Sequence, residues 1–196
     1  QLGTYMLLSN PVTGENASRP FVMHLPGFNG YLTPRYFTSE SEWRLRILFS
    51  YIPSEITFVR IETPNHPENS FEILLGGKNQ YKLRKLTGND TLTDFDPLAV
   101  LHYLSYFQSV PFGLPDQGLD NIRKDSILNS SPLNIITVSD VKGKEKQVKL
   151  FAKPAPPDSR NAEGQCYKYD QEQMYALIED TGGEKELVLV QYFVFG

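Results

Sequence analysis

Hydrophobic and polar residues alternate with a period of two over much of this chain, and that alternation predicts most of its elements. Ile56, Phe58 and Arg60 fall on one side of a strand against Thr57, Val59 and Ile61, and Tyr81, Leu83 and Lys85 fall against Lys82, Arg84 and Leu86. With the run 71–75 between them, and turns rich in Pro, Asn and Gly, they predict a three-stranded meander over 56–62, 71–75 and 81–86. Strands are also predicted at 4–8 and 20–25, joined by a polar loop into a hairpin. A second hairpin is predicted at 133–139 and 147–152, with Gly143 in its turn. Strands at 167–169, 174–179 and 186–195 close the chain, with the Pro-rich 154–164 read as a loop that joins no ladder.

The pattern changes to a helical period in a few places. Asp96-Pro97 places a capping carboxylate before a proline whose missing N–H costs nothing, and Val100, Leu101, Leu104 and Phe107 then make an apolar stripe. This predicts the main helix near 96–109, packed on the meander. Ser39 with Glu42 forms a capping box ahead of Trp43, Ile47 and Leu48, predicting a short helix near 39–49. One or two helical turns are expected at 121–128. The densest stretch, 20–49, reads as a joint, dividing the chain into a terminal hairpin of an upstream lobe plus joint (1–37) and a sheet-and-helix lobe (38–196). The fold class is therefore α+β, mostly β, built of antiparallel sheet-and-helix lobes. The order hydrophobic strand, loop, hydrophobic strand at 3–24 also echoes 173–193, as if the chain opened with the closing hairpin of one lobe and ended with that of the next.

Composition bounds the classes of function. The 196 residues suffice for a sizeable core without metal or disulfide, and 40% hydrophobic with 21% charged residues is the balance of an ordinary globular chain. A net charge of −4 argues against nucleic-acid binding. No run approaches the roughly 20 apolar residues of a membrane-spanning helix. The chain opens at Gln1 directly in a strand, so an export signal or anchor is expected upstream. One local charge cluster stands out: Lys142, Lys144, Lys146 and Lys149, with Lys153, against Glu145. It reads as a solvated hairpin guarding against edge pairing or, alternatively, as a contact for an anionic ligand or lipid headgroup.

Catalytic constellations are not evident. There is no phosphate-binding glycine loop, nucleophile elbow, His-Glu-x-x-His or Cys-x-x-Cys. His24, His66 and His102 never reach metal-ligand spacing; His102 reads as a hydrogen-bonded structural histidine and His66 as a turn residue. No cofactor and no metal are expected. Cys166 reads as a small hydrophobe under a loop, the alternative being an activated thiol. Asp90 and Asp94 read as loop solvation. The best binding candidates are Tyr31, Arg35, Tyr36 and Trp43, because aromatic rings beside a guanidinium suit a sugar, peptide or protein surface. The bland alternative has Trp43 and Tyr36 sealing the joint, with Arg35 paired to Glu40 or Glu42.

Tyr5 to Leu8, the run from Pro20 to Leu32, Arg35-Tyr36, Glu42-Trp43-Arg44, Phe49 and Glu55-Ile56, with Ser70 to Ile73 and Val148 to Lys153, resemble the C-terminal portion of an uncharacterised family of Bacteroidota envelope proteins. That family is known only as a domain of unknown function. The resemblance implies a periplasmic protein anchored in the inner membrane by one N-terminal helix, with relatives encoded beside transporters of the gliding-motility ABC type. It supplies no catalytic residues. Together these readings lead us to expect a non-catalytic envelope scaffold or accessory subunit of a membrane protein complex. The alternative is an extracytoplasmic module that binds sugar or peptide at the aromatic joint.

Overall fold

The computed structural model describes residues 3–36, 45–76, 80–88, 90–113, 118–180, 182–183 and 185–195. The chain divides into two compact units, Gln1–Leu45 and Arg46–Gly196.

In the first unit β1 (Thr4–Met6) and β2 (Phe21–Met23) pair antiparallel, Thr4 opposite Met23 and Tyr5 opposite Val22. The connecting loop is held by its own polar side chains, with Asn10 Oδ1 accepting from Val12 N at 2.9 Å. At Pro26-Gly27 the glycine takes φ 79° and Phe28 N donates to Leu25 O, the tight turn that this dipeptide predicts. A single 3₁₀ turn follows at Thr33–Arg35. Leu32 is the one buried residue among those described here.

The second unit is built on an eight-stranded antiparallel sheet. Its strands are β4 (Ile56–Glu62), β5 (Phe71–Leu75), β6 (Tyr81–Lys85), β7 (Thr91–Leu92), β9 (Asn134–Asp140), β10 (Glu145–Pro154), β11 (Tyr169–Asp180) and β12 (Lys185–Gln191). Across the sheet they run β12-β11-β10-β9-β4-β5-β6-β7. The predicted meander thus forms one half and the second hairpin most of the other, with β4 and β9 joining them. Two further strands, β3 (Ile47–Phe49) and β8 (Val110–Pro111), pair with each other.

Each face of the sheet is covered differently. Val59, Ile73, Ile136, Val148, Ala176 and Val188 lie on the first face, in one core with Val100, Leu104 and Phe107 of helix α1 (Pro97–Ser105) and with Leu48 and Phe49. On the second face Phe151, Tyr175 and Leu177 meet Leu119 and Ile127, the latter from helix α2 (Asn121–Leu128). Asp96 caps α1 by accepting from Leu98 N, and Asp120 caps α2 by accepting from Arg123 N.

Beyond α2 the second face is polar, and its side chains form one row across seven strands. Register places Arg84, Glu72, Arg60, Thr137, Gln147, Glu179 and Lys185 opposite one another in succession. Glu72 is fully buried, and its carboxylate accepts from Arg60 Nη2 at 2.9 Å and pairs with the Arg84 guanidinium on the other side. Gln147 Nε2 donates to Thr137 Oγ1 at 3.2 Å, and Lys185 Nζ pairs with Glu179 at 3.1 Å.

Five expectations need correction. The 154–164 segment does join a ladder, since Pro154 ends β10 opposite Tyr169, at a break in register where a proline is tolerated. The short helix near 39–49 does not reach 47–49, where the chain is strand β3; Leu48 and Phe49 are buried and Ile47 opposes Pro111, a long-range pairing that local periodicity does not register. Residues 37–44, including Ser39, Glu42 and Trp43, lie outside those described. The main helix stops at Ser105, short of 109, and Leu101 of its predicted stripe is 42% exposed. The closing strand ends at Gln191, because Tyr192–Val194 turns into a 3₁₀ helix; and 169–180 is one strand, whose polar opening Asp170-Gln171-Glu172-Gln173 hides its continuity.

The buried carboxylate yields a test. Replacing both Arg60 and Arg84 with Leu leaves Glu72 buried without a counter-charge and is expected to cost about 3–5 kcal/mol in urea unfolding. Glu72→Leu is expected to cost less, because the guanidinium side chains are 40% and 39% exposed and can turn to water. Equal costs would show that the carboxylate does not depend on the arginines.

Candidate functional site

On the first face of the sheet, a cavity of about 490 Å³ opens between the end of α1 and the C-terminal turn. Such a volume is within the range of roughly 300–1,000 Å³ typical of small-ligand sites. Its floor is Ile61, Ile136 and Leu150 on β4, β9 and β10, with Asn134 at the edge of that floor. Phe49 and Val110, from the β3/β8 pair, form a second wall.

The remaining wall is aromatic and comes from helix spacing. Tyr103, Tyr106 and Phe107 sit at i, i+3 and i+4, so the end of α1 presents three rings together. They stack edge to face, Tyr103 with Phe107 at 5.7 Å and Tyr103 with Tyr106 at 6.3 Å, and Phe107 packs on Phe49 at 5.3 Å. Opposite them stand Phe193, Val194 and Phe195 of the C-terminal turn. Phe193 is 78% and Tyr106 60% exposed, so these two form the rim.

Among the described residues no charged side chain lines this cavity, but three polar ones do. Tyr106 Oη is engaged with His102 Nε2 at 2.9 Å, which makes His102 the hydrogen-bonded histidine expected of it. Asn134 Oδ1 accepts from Thr63 Oγ1 at 3.0 Å, leaving its amide N–H₂ without an acceptor among the described residues. The Tyr103 hydroxyl has no hydrogen-bond partner among them either. Burial alone pushes its pKa up to about 12, so it stays neutral at any physiological pH.

The aromatic residues expected at the joint are placed otherwise. Tyr31 and Tyr36 are exposed in the first unit, and the Arg35 guanidinium lies 5.3 Å from the centre of the Phe28 ring. Trp43, Glu40 and Glu42 lie outside the described residues. His66 Nδ1 lies 3.3 Å from Glu68 Oε1, in the turn expected of it. Cys166 is exposed, bridged through its backbone to Arg160, and not a small hydrophobe under a loop.

The lysine cluster is not gathered into one patch. Period two along β10 puts Lys146 on the face opposite Lys149, and Lys146 Nζ donates to Leu48 O at 3.2 Å. Lys149 reaches Glu179 at 3.3 Å, and Lys153 pairs with Asp170. Lys142 and Lys144 belong to the turn, where their backbone N–H groups donate to Asp140 Oδ1. Runs of like charge on a strand are divided by its pleat, a rule the sequence reading did not apply to these residues.

Sequence reasoning missed the cavity because its lining comes from six separated segments. The only local signal was the aromatic triplet at 103, 106 and 107, of which Phe107 alone reads as part of the helix stripe, and none as lining.

Two paired carboxylates predict acid behaviour. Burial would raise Asp170, but hydrogen bonds from Lys153 and from the backbone of Glu172 and Gln173, together with the Lys153 charge, outweigh it and hold it below the usual range. Glu179 is likewise raised by burial and lowered further by Lys185 and Lys149, ending below its ordinary value. Both contribute stability that is complete above the unfolded carboxylate range and is lost as pH falls through the lowered folded values. Urea midpoints measured from about pH 7 to about pH 2 should therefore hold until the ordinary carboxylate range and then drop. Lys153→Met should lower the midpoint near neutral pH and make that drop smaller, with its onset still in the ordinary carboxylate range; an unchanged drop would mean that the ion pair does not contribute to it.

No family model, curated protein or solved structure matches the chain, so its function has to be read from its geometry and chemistry.

Proposed function

We propose that this chain is a non-catalytic docking module, an accessory subunit or scaffold of a membrane protein complex, acting on the periplasmic side of an inner membrane. The observation that carries the docking role is the apolar hairpin of the first unit. Tyr5, Leu8, Phe21, Val22, Met23 and Phe28 are exposed by 40–74%, on both faces of a sheet with only two strands. A two-stranded hairpin is marginal in water by itself, and large apolar side chains exposed on both of its faces suit a protein contact. The occupant that fits is a protein presenting an apolar face and a free strand edge, which would extend the hairpin by backbone pairing and cover its side chains. The compartment and the anchor rest on the resemblance to the Bacteroidota envelope family.

A second reading is favoured by one arrangement: Arg35 over Phe28, with Tyr31 and Tyr36 exposed nearby in sequence. It makes the same unit a binding surface for a sugar or peptide, with Trp43 as a further candidate.

Photo-cross-linking distinguishes the two. A benzoylphenylalanine at Tyr5, Phe21 or Phe28 of the anchored, full-length protein is expected to capture the same membrane protein from native membranes, whereas one at Lys144 is not. Tyr5→Ser with Phe21→Ser should abolish that capture. Adducts from the control position as abundant as those from the hairpin, or recovery of the protein alone, would overturn docking. Tyr31→Ala and Tyr36→Ala would then be examined for loss of glycan or peptide retention.

A further inference from the structure

We infer that the cavity beside α1 binds the acyl chain of a neutral lipid ester, holding the ester carbonyl at Tyr103 and Asn134. This is independent of docking through the first unit. Three observations converge on that ligand class. The walls are mostly apolar and aromatic, with no charged side chain among the described residues, so a carboxylate or phosphate inside would lack a counter-charge and lose its hydration. An aliphatic chain loses nothing by entering such a space and gains about 25 cal/mol per Å² of surface removed from water.

The polar atoms narrow the class further. Tyr103 Oη–H and the Asn134 amide N–H₂ both lack acceptors among the described residues, whereas Asn134 Oδ1 is already taken by Thr63. A half-buried tyrosine ordinarily finds a partner for its hydroxyl. The site therefore offers two donors to a ligand that brings an acceptor, and an ester carbonyl meets that requirement.

The rim fits a chain that enters end first. Phe193 and Tyr106 are exposed aromatic side chains at the mouth, where an amphipathic ligand passes from apolar to wet surroundings. Its headgroup would remain in solvent, so the structure selects the chain and its linkage and leaves the headgroup unread.

The test uses the purified chain, with the neutral dye N-phenyl-1-naphthylamine as a fluorescent reporter of the cavity. Monomyristoylglycerol is expected to displace the dye at micromolar concentration, and myristate at least tenfold less well. Tyr103→Phe removes one oxygen and keeps the ring contacts with Phe71 and Phe107. It should weaken the glycerol ester by about fivefold to tenfold, the worth of one hydrogen bond, and leave dye binding unchanged. Phe193→Ala at the exposed rim should weaken the dye and the ester together. Failure of the ester to displace the dye, equal binding of myristate, or equal affinity in Tyr103→Phe would each overturn the assignment.

Discussion

An eight-stranded sheet has two faces to cover, and this chain has little helix with which to cover them. At about 1.5 Å per residue the nine residues of α1 extend about 14 Å, while eight strands at about 4.8 Å spacing make a sheet roughly 34 Å wide. The rest of the structure is a set of answers to that shortfall. On the second face α2 covers the apolar end, at Phe151, Tyr175 and Leu177, and the polar row covers the remainder. The row needs no helix above it, because its charges are paired across neighbouring strands or reach solvent. Arg60 and Arg84 close over Glu72 from the two neighbouring strands, so a carboxylate on an otherwise open face is fully buried. An unpaired charge in that position would be untenable; two guanidinium groups make it part of the covering layer.

The first face is covered by assembling short pieces around the helix. Phe112 N donates to Arg46 O beside the β3/β8 pair, Tyr51 N donates to Phe107 O, and Gly113 N donates to Leu189 O on the outer edge of β12. That last bond also blocks part of an edge that would otherwise be available for unwanted pairing. The 3₁₀ turn Tyr192–Val194 then returns the chain toward the same face. Pieces that meet in this way do not fill space as a continuous helix would. The cavity lies where α1 has ended and the C-terminal turn has not replaced it.

Periodicity disclosed the parts of this arrangement that are local. The strands 56–62, 71–75 and 81–85, the hairpin about Gly143, and the Asp96-Pro97 start of α1 all follow from residue order within a few positions. What it could not disclose depends on partners far away in the chain. Ile47 fits a helical stripe with Trp43 as well as it fits a strand, and only its opposition to Pro111, more than sixty residues on, decides between them. Tyr192 and Phe193 continue an apolar run, yet the strand has no further partner and the backbone turns. The lysines cluster by residue number but not in space, since the pleat sends Lys146 and Lys149 to opposite sides. The cavity is the extreme case, because its lining is drawn from six segments spread from Phe49 to Phe195.

The distribution of charge follows from the same geometry and explains why the cavity is neutral. Paired carboxylates and cations need either a neighbouring strand or solvent, and the second face supplies both: Glu72 lies between two arginines, and Glu179 between Lys149 and Lys185. The middle of the first face lies under α1 and the short segments, where a charge would be desolvated, and the charges this face does carry, such as Lys146 opposite Asp180, sit at strand ends. Apolar and aromatic residues therefore dominate it, and Thr63, Asn134 and Tyr103 bring uncharged polarity to its margin. Of these three, Thr63 donates to Asn134, and the hydrogen-bonding capacity left over includes the donors of Asn134 and of the Tyr103 hydroxyl. A space lined in this way discriminates against ions by desolvation and favours acceptor-bearing apolar molecules by the groups left over, and both properties arise from how the sheet had to be covered.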